Sequence, residues 1–270
     1  MELKATSYEL RERTAVITLN RPHRSNAWTG RMDTEYRWCL MEAESDPSVR
    51  AIVVTGAGER FCVGGDSKAL EGHAERGSYD TGVTNDSARP GFGTRSEFDH
   101  PFACHYGLTK PVLAAINGAA AGIGFALACF ADLRFASPGA KLTTAHGKLA
   151  LPPEYGLSWT LPRIVGLGRG LDALLTSRVI LAEEALSWGL VNQIHPMDEL
   201  LTATVSFAEE LSASVSPAAL RATRAMVYAD LHRDVGSSIV DSMDRLDKMM
   251  GSEEYRQGVR ALVEKRPPQF

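Results

Sequence analysis

Apolar residues in the first half of the chain fall alternately into short β-branched runs and into longer stretches with helical spacing. Thr14-Ala-Val-Ile-Thr-Leu19 is such a run, closed by Asn20-Arg21-Pro22, and it predicts a strand that meets a loop. Thr29 is placed to cap a helix through Met32, Tyr36, Cys39, Leu40 and Ala43, which Asp46-Pro47 ends. Ala51-Ile-Val-Val-Thr55 and Pro111-Val-Leu-Ala-Ala-Ile116 read as buried strands. Ala119 to Phe130 reads as a small-residue helix and Leu133-Arg-Phe-Ala136 as one more strand. Buried strands separated by helices imply parallel βαβ units, whose ligands bind beyond the carboxyl ends of the strands. Gly72 to Thr94 is rich in Gly, Ser, Asp and Asn without a period, and it predicts a long loop of the lid or mobile kind. From Leu167 the pattern turns helical. Helices are expected over Leu167–Leu175, Ala182–Trp188, Met197–Ser212, Pro217–Leu231, Val235–Met250 and Ser252–Lys265.

Composition narrows the class without naming a function. A chain of 270 residues, 44 % hydrophobic and 23 % charged, can bury a large core without disulfides or a structural metal. Twenty-nine basic against thirty-three acidic side chains give a net charge of −4. That balance argues against nucleic-acid binding, although a local basic patch can still hold a phosphate-bearing ligand. No apolar run reaches the roughly 18–20 residues that span a bilayer, and the opening MELKATSYELRERT lacks a signal-peptide core. Cys39, Cys62, Cys104 and Cys129 form no CxxC pair and have no histidine at metal-ligand spacing. Cys39 and Cys129 fall in apolar helical patterns and read as buried thiols. A cytoplasmic enzyme, with no metal and no membrane partner, is the expectation.

Two glycine turns are the candidate chemistry. Arg60-Phe-Cys-Val-Gly-Gly-Asp-Ser-Lys68 follows the strand at 51–55. Gly64-Gly65 lets the backbone approach a ligand closely, and Asp66 or Ser67 can cap the helix beyond. Asn117-Gly-Ala-Ala-Ala-Gly-Ile-Gly-Phe125 follows the next buried strand, and its glycine spacing does not fit a dinucleotide fingerprint. Taken singly, each reads as an ordinary strand-to-helix junction. Taken together, each can offer one amide to the same carbonyl oxygen, an arrangement that stabilises charge developing on oxygen.

On these residues the chain resembles the crotonase family, the enoyl-CoA hydratase/isomerase superfamily. The blocks that carry the resemblance run in order over nearly the whole length. They are Asn20-Arg-Pro-His-Arg-Ser-Asn-Ala27, Phe61-Cys-Val-Gly-Gly-Asp66, Lys110 to Gly118, Ala121-Gly-Ile-Gly-Phe125, Ala131 to Ser137, Leu161-Pro-Arg-Ile-Val-Gly166 and Glu253 to Phe270. The resemblance implies an α/β fold, a crotonase-like spiral of ββα and βαβ units over residues 1–195. Residues 196–270 would form a helical region for assembly and closure of the site, in a homotrimer or a dimer of trimers. It implies a coenzyme A thioester as substrate, with no cofactor. The oxyanion donors would be the backbone amides of Gly65 and Ile123. Coenzyme A contacts would fall on His23, Arg24 and Ser25 and on Val63, Asp66, Ser67 and Lys68, with Arg24 and Lys68 as phosphate partners.

The sequence also departs from the family. Its hydratases use two glutamates, and the corresponding positions here hold Ala126 and His146. Glu154, eight residues after His146, stands where dienoyl-CoA isomerases and a related dehalogenase place a catalytic aspartate. Flanked by Pro152, Pro153, Tyr155, Leu157 and Trp159, its carboxyl group is expected to be partly desolvated and raised in pKa, which suits a general base or acid. His146 is the second candidate for proton transfer, or else a pocket wall. Tyr155 and Trp159 are expected to wall the acyl pocket. With one carboxylate, isomerisation of an enoyl-CoA double bond is chemically simplest. Hydration with His146 as the second proton carrier, or hydrolysis or decarboxylation of an acyl-CoA, would fit the same scaffold. The reading from another class is a non-catalytic paralogue that binds acyl-CoA, a protein or RNA.

Overall fold

A computed structural model describes residues 1–84 and 87–270. Asn85 and Asp86, inside the loop expected over 72–94, lie outside the described residues. β1 (Thr6–Arg11) runs antiparallel to β2 (Thr14–Leu19), in a register that pairs Thr6 with Leu19 and Arg11 with Thr14. The hydrophobic pattern did not announce β1, because it is an edge strand with only Thr6 fully buried. It is held from outside the sheet. The Glu35 carboxylate accepts the amides of Lys4, Ala5 and Thr6, at 2.7 Å for Ala5.

Glu35 belongs to α1 (Gly30–Ser45), which Thr29 caps by accepting the Met32 amide, as its spacing predicts. β3 (Ala51–Gly56) leads through the first glycine turn into α2 (Ser67–Arg76), capped by Asp66. Residues 72–76 are therefore helical, and the loop begins only at Gly77, whose φ of 64° ends α2. β4 (Val112–Ile116) is followed by β5 (Ala120–Ala121) and α3 (Ile123–Cys129). The helix expected from Ala119 starts four residues later, because Ala120 and Ala121 pair as a strand and Gly122, at φ 50°, breaks the path.

β6 (Leu133–Ala136), β7 (Lys141–Thr143), α4 (Leu157–Val165), α5 (Leu167–Thr176), β8 (Ile180–Leu181), α6 (Ala182–Ser187) and β9 (Gln193–Ile194) follow. The chain closes with α7 (Leu200–Ser214), α8 (Pro217–Asp230), α9 (Val235–Met250) and α10 (Glu253–Val263). The larger sheet has the order β1-β2-β3-β4-β6-β9 and is parallel from β2 onward, and β5-β7-β8 form a second, smaller sheet. Strand periodicity splits the side chains between two faces. Ile17, Ile52, Val54, Val112 and Ala114 pack with α1 and α3, whereas Val16, Val53, Leu113 and Phe135 pack under Leu200 and Ala208 of α7. The helical region after 195 is thus not uniform. α7 covers the sheet, while α9 exposes Val235, Ile239, Val240, Met243 and Leu246. No helix among the described residues is long and apolar enough to cross a membrane.

Candidate active site

The two glycine turns are joined to each other. The Cys62 amide donates to the Ala119 carbonyl at 3.1 Å, and the Ala121 amide donates to the Cys62 carbonyl at 2.9 Å. A second tie comes from the chain before α1, where the Trp28 amide donates to Gly64 and the Asp66 amide donates to Trp28. This parallel bridge passes over Gly65. Among the described residues, neither the Gly65 amide nor the Ile123 amide has a backbone acceptor. Gly64 and Gly124 are sterically required. Gly64 sits at φ 103°, and a Cβ on Gly124 would stand 2.1 Å from the Cys62 carbonyl oxygen. Gly65 and Ile123 are close neighbours, since a Cβ at Gly65 would lie 3.9 Å from Ile123 Cδ1.

These turns open onto a narrow cleft of about 110 Å³, also lined by Val63, His146 and Glu154. The Glu154 carboxylate and the Nδ1 atoms of His146 and His73 stand in this cleft without hydrogen-bond partners among the described residues. The Glu154 carboxylate is half-buried and makes no hydrogen bond or ion pair among the described residues, and burial alone pushes its pKa up from the ordinary carboxylate value. His146 is 6 % exposed in a tight turn between two left-handed alanines, Ala145 and Ala150, and its buried Nδ1 has no hydrogen-bond partner. His73, Tyr79 and Asp80 line the same cleft and were not anticipated. Ala69, Leu70 and His73 share one face of α2, a spacing that the Gly- and Ser-rich composition after Gly72 obscures in the sequence. His73 Nε2 donates to the Asp80 carbonyl at 2.8 Å, which ties α2 to the segment that follows it.

At the rim, the two loops expected to meet coenzyme A lie against each other. The Val63 amide donates to the Ser25 carbonyl, and Arg24 reaches Ser67 Oγ at 3.2 Å and Asp66 at 3.5 Å. Asp66 itself is buried and already engaged. Burial pushes its pKa up, but the hydrogen bonds from Arg21 and the Lys68 amide, with the charges of Arg21 and Arg24, hold it net below the usual value. Its carboxylate organises the rim rather than facing outward, while His23, Arg24 and Lys68 stay exposed. Two asparagines that sequence reasoning passed over fix these loops. Asn26 accepts the Arg21 amide and donates to Ala57 and Arg60 carbonyls. Asn117 bonds both polar groups of Gly56 and the Gly58 carbonyl.

Tyr155 and Trp159 do not line this cleft. They border a second cavity of about 430 Å³ with Phe98, Tyr106, Phe130 and His232. Tyr155 adopts a left-handed φ of 51°, and its hydroxyl is hydrogen-bonded to that of Tyr79, which does line the first cleft.

The family model for enoyl-CoA hydratase/isomerase matches residues 9–270 of the chain. The chain belongs to the enoyl-CoA hydratase/isomerase family. Within that family it is 32 % identical to 1,2-epoxyphenylacetyl-CoA isomerase of Escherichia coli, covering 94 % of this chain and 93 % of that protein. It is 30 % identical to short-chain-enoyl-CoA hydratase of Clostridium acetobutylicum, covering 98 % and 97 % respectively. A probable enoyl-CoA hydratase/isomerase of Mycobacterium abscessus has a crystal structure that superimposes with a TM-score of 0.84 at 28 % identity, over 98 % of each chain. Membership in the enoyl-CoA hydratase/isomerase family makes the chain an enzyme of the acyl-CoA class but leaves the reaction to its own residues. Ala126 is fully buried in α3 and offers the cleft no polar group, whereas His146 and Glu154 both border the cleft.

Proposed function

We propose that the protein moves a proton on an enoyl-CoA, most simply to shift a double bond, with Glu154 as the base that removes and returns it. The observation that carries this reading is the unpaired, half-buried Glu154 carboxylate beside the two unbonded amides of Gly65 and Ile123. A thioester carbonyl held by those two amides becomes a better electron sink as its α or γ proton leaves, because the donors stabilise charge that appears only in the transition state. Burial raises the proton affinity of Glu154 toward the working pH, which suits a group that must both take and give a proton. His146 borders the same cleft with a free Nδ1 and is the candidate for a second proton transfer if water is added instead. The coenzyme A moiety would lie across the rim formed by His23, Arg24, Ser25, Val63, Ser67 and Lys68, with Asp66 positioning Arg24. No cofactor beyond the thioester is needed.

Self-association belongs to the same reading. The exposed apolar residues of α9, together with Leu167, Leu171 and Leu175 of α5, form surfaces suited to a homotrimer or dimer of trimers. Four buried cysteines suit a reducing cytoplasm. The test of the reaction is turnover of a panel of 2-enoyl-CoA and 3-enoyl-CoA esters, followed by absorbance of the conjugated thioester. Glu154→Gln should lower kcat by about 10²–10⁴-fold, with coenzyme A affinity unchanged. A Glu154→Gln enzyme with full turnover overturns the assignment.

A further inference from the structure

We infer that the cavity walled by Tyr155 and Trp159 is a subsite for an aromatic acyl group, joined to the catalytic cleft past the Tyr79–Tyr155 pair. The inference rests on the acyl-CoA reading above and names the substrate class for it. The first cleft, at about 110 Å³, offers far less space than the second cavity. A dry cavity of about 150 Å³ already accepts a benzene molecule. The second cavity, at about 430 Å³, has room for a ring and its linker.

Its walls are chosen for rings. Phe98 meets Tyr106 edge-on at 5.8 Å, Tyr106 meets Phe130 at 5.2 Å, and Trp159 stacks on His232 at 5.4 Å. Each of these rings is fixed by another, so a planar guest finds pre-set edges and faces without having to order them. Glu97 and His100 add polarity at the margin of the cavity.

Consecutive residues border the two cavities. Glu154 faces the first cleft, and the next residue, Tyr155, faces the second. The hydroxyl of Tyr155 is bonded to that of Tyr79 on the cleft side. Tyr79 is 56 % exposed and packs edge-on against His73 at 4.9 Å, so an outward swing gives up that one ring contact and its bond to Tyr155. An acyl group whose α carbon stands at Glu154 would then project its distal end between these two rings. Tyr155 and Trp159 thereby become residues that determine specificity without touching the proton transfer.

The test is equilibrium binding of coenzyme A, crotonyl-CoA, octanoyl-CoA and phenylacetyl-CoA to the full chain, read by calorimetry. Octanoyl and phenylacetyl groups have the same number of carbons, so their difference reports ring shape. Phenylacetyl-CoA is expected to bind at least about tenfold more tightly than octanoyl-CoA, a factor that corresponds to about 1.4 kcal/mol. Filling the cavity with Ala103→Phe, or opening its wall with Trp159→Ala, should bring that ratio close to one. Melting curves on both variants confirm that they fold. Equal affinities for the two esters in the unmodified protein, or a ratio untouched by Ala103→Phe, overturn the subsite while leaving the acyl-CoA reading intact. Failure of every acyl-CoA to bind more tightly than coenzyme A itself overturns both.

Discussion

The spacing of the two glycine turns is open to a direct test at Gly124, a residue that touches no substrate. A methyl group added there would sit 2.1 Å from the Cys62 carbonyl oxygen and 2.7 Å from Cys62 Cβ. Ordinary carbon–oxygen contacts begin at roughly 3.3 Å, so Gly124→Ala must push α3 and the first turn apart by about 1 Å. The oxygen that must yield is the one that accepts the Ala121 amide, the bond that joins the two turns. The amides of Gly65 and Ile123 ride on opposite sides of that bond. A misplacement of about 1 Å at a reacting centre costs on the order of 10²-fold in rate, and overpacking a core costs about 1–3 kcal/mol. Gly124→Ala should therefore lose roughly 10²-fold in kcat on a conjugated enoyl-CoA. Coenzyme A should still bind, because the rim proposed for it is built on Ser25, Val63 and Arg24 rather than on α3. Rate and affinity come from steady-state absorbance and calorimetry, and stability comes from urea unfolding. A Gly124→Ala enzyme with kcat within a factor of about two of the parent would refute the idea that catalysis depends on this spacing.

Three further outcomes are expected. Arg224 is 8 % exposed and bidentate to Asp132, which also accepts the Tyr228 hydroxyl and the Val112 amide, so α8 is tied to β4 through one carboxylate. Arg224→Ala strands that carboxylate and should cost about 3–5 kcal/mol in urea unfolding; a loss below about 1 kcal/mol would show the network to be dispensable. Burial raises the pKa of Glu35, but Arg31 and the amides of Ala5, Lys4 and Thr6 outweigh it and hold the group net below its ordinary value. A depressed carboxylate contributes stability that is present above the unfolded value, about 4.3, and is lost as pH falls through the folded value. Acid unfolding of the parent should thus be steeper than that of Glu35→Gln, and parallel curves would remove Glu35 as the acid-sensitive clamp. The apolar stripe on α9 predicts a species larger than a monomer in light scattering, and Ile239→Glu with Met243→Glu should shift it toward monomer; a monomeric parent contradicts the assembly.

Much of the scaffold was legible because it is written in short-range patterns. Thr29 as a cap, the strand over Ala51–Thr55 and the helix over Val235–Met250 follow from local spacing and capping chemistry. The elements that were missed depend on partners distant in sequence. β1 pairs with β2 across the Glu12–Arg13 turn, but the amides leading into it are received by Glu35, some thirty residues away. α4 keeps Leu157, Thr160, Leu161 and Val165 buried on one face despite Pro162 within it, and the proline masks the helical signal of that run. The site shows the same division. The glycine turns and Glu154 were visible in the sequence, but the distribution of neighbours between two cavities was not. Glu154 and Tyr155 are adjacent in the chain and face different spaces, because Tyr155 takes a left-handed φ and Gly156 follows with another. No periodicity rule predicts that split.

The treatment of carboxylates elsewhere in the molecule gives Glu154 its meaning. Asp33 is paired with Arg37, Glu35 takes up three amides and an arginine, Asp66 takes two arginines and a helix-capping amide, and Asp132 takes an arginine, a tyrosine and an amide. Glu35, Asp66 and Asp132 are buried anions neutralised by donors from more than one element, as the cost of burying charge requires, whereas Asp33 has its salt bridge within α1 and burial pushes its pKa up. Glu154 is also drawn partly out of water, yet it receives no donor among the described residues and its proton is held more tightly as a result. A fold that satisfies Glu35, Asp66 and Asp132 in this way has the means to satisfy Glu154 with a single lysine or amide. Doing so would fix the charge and end its use as a base near neutral pH. The missing partner suits the proton-exchanging role proposed for Glu154, and with Ala126 and His146 in place of glutamates no other carboxylate stands at those positions to share it.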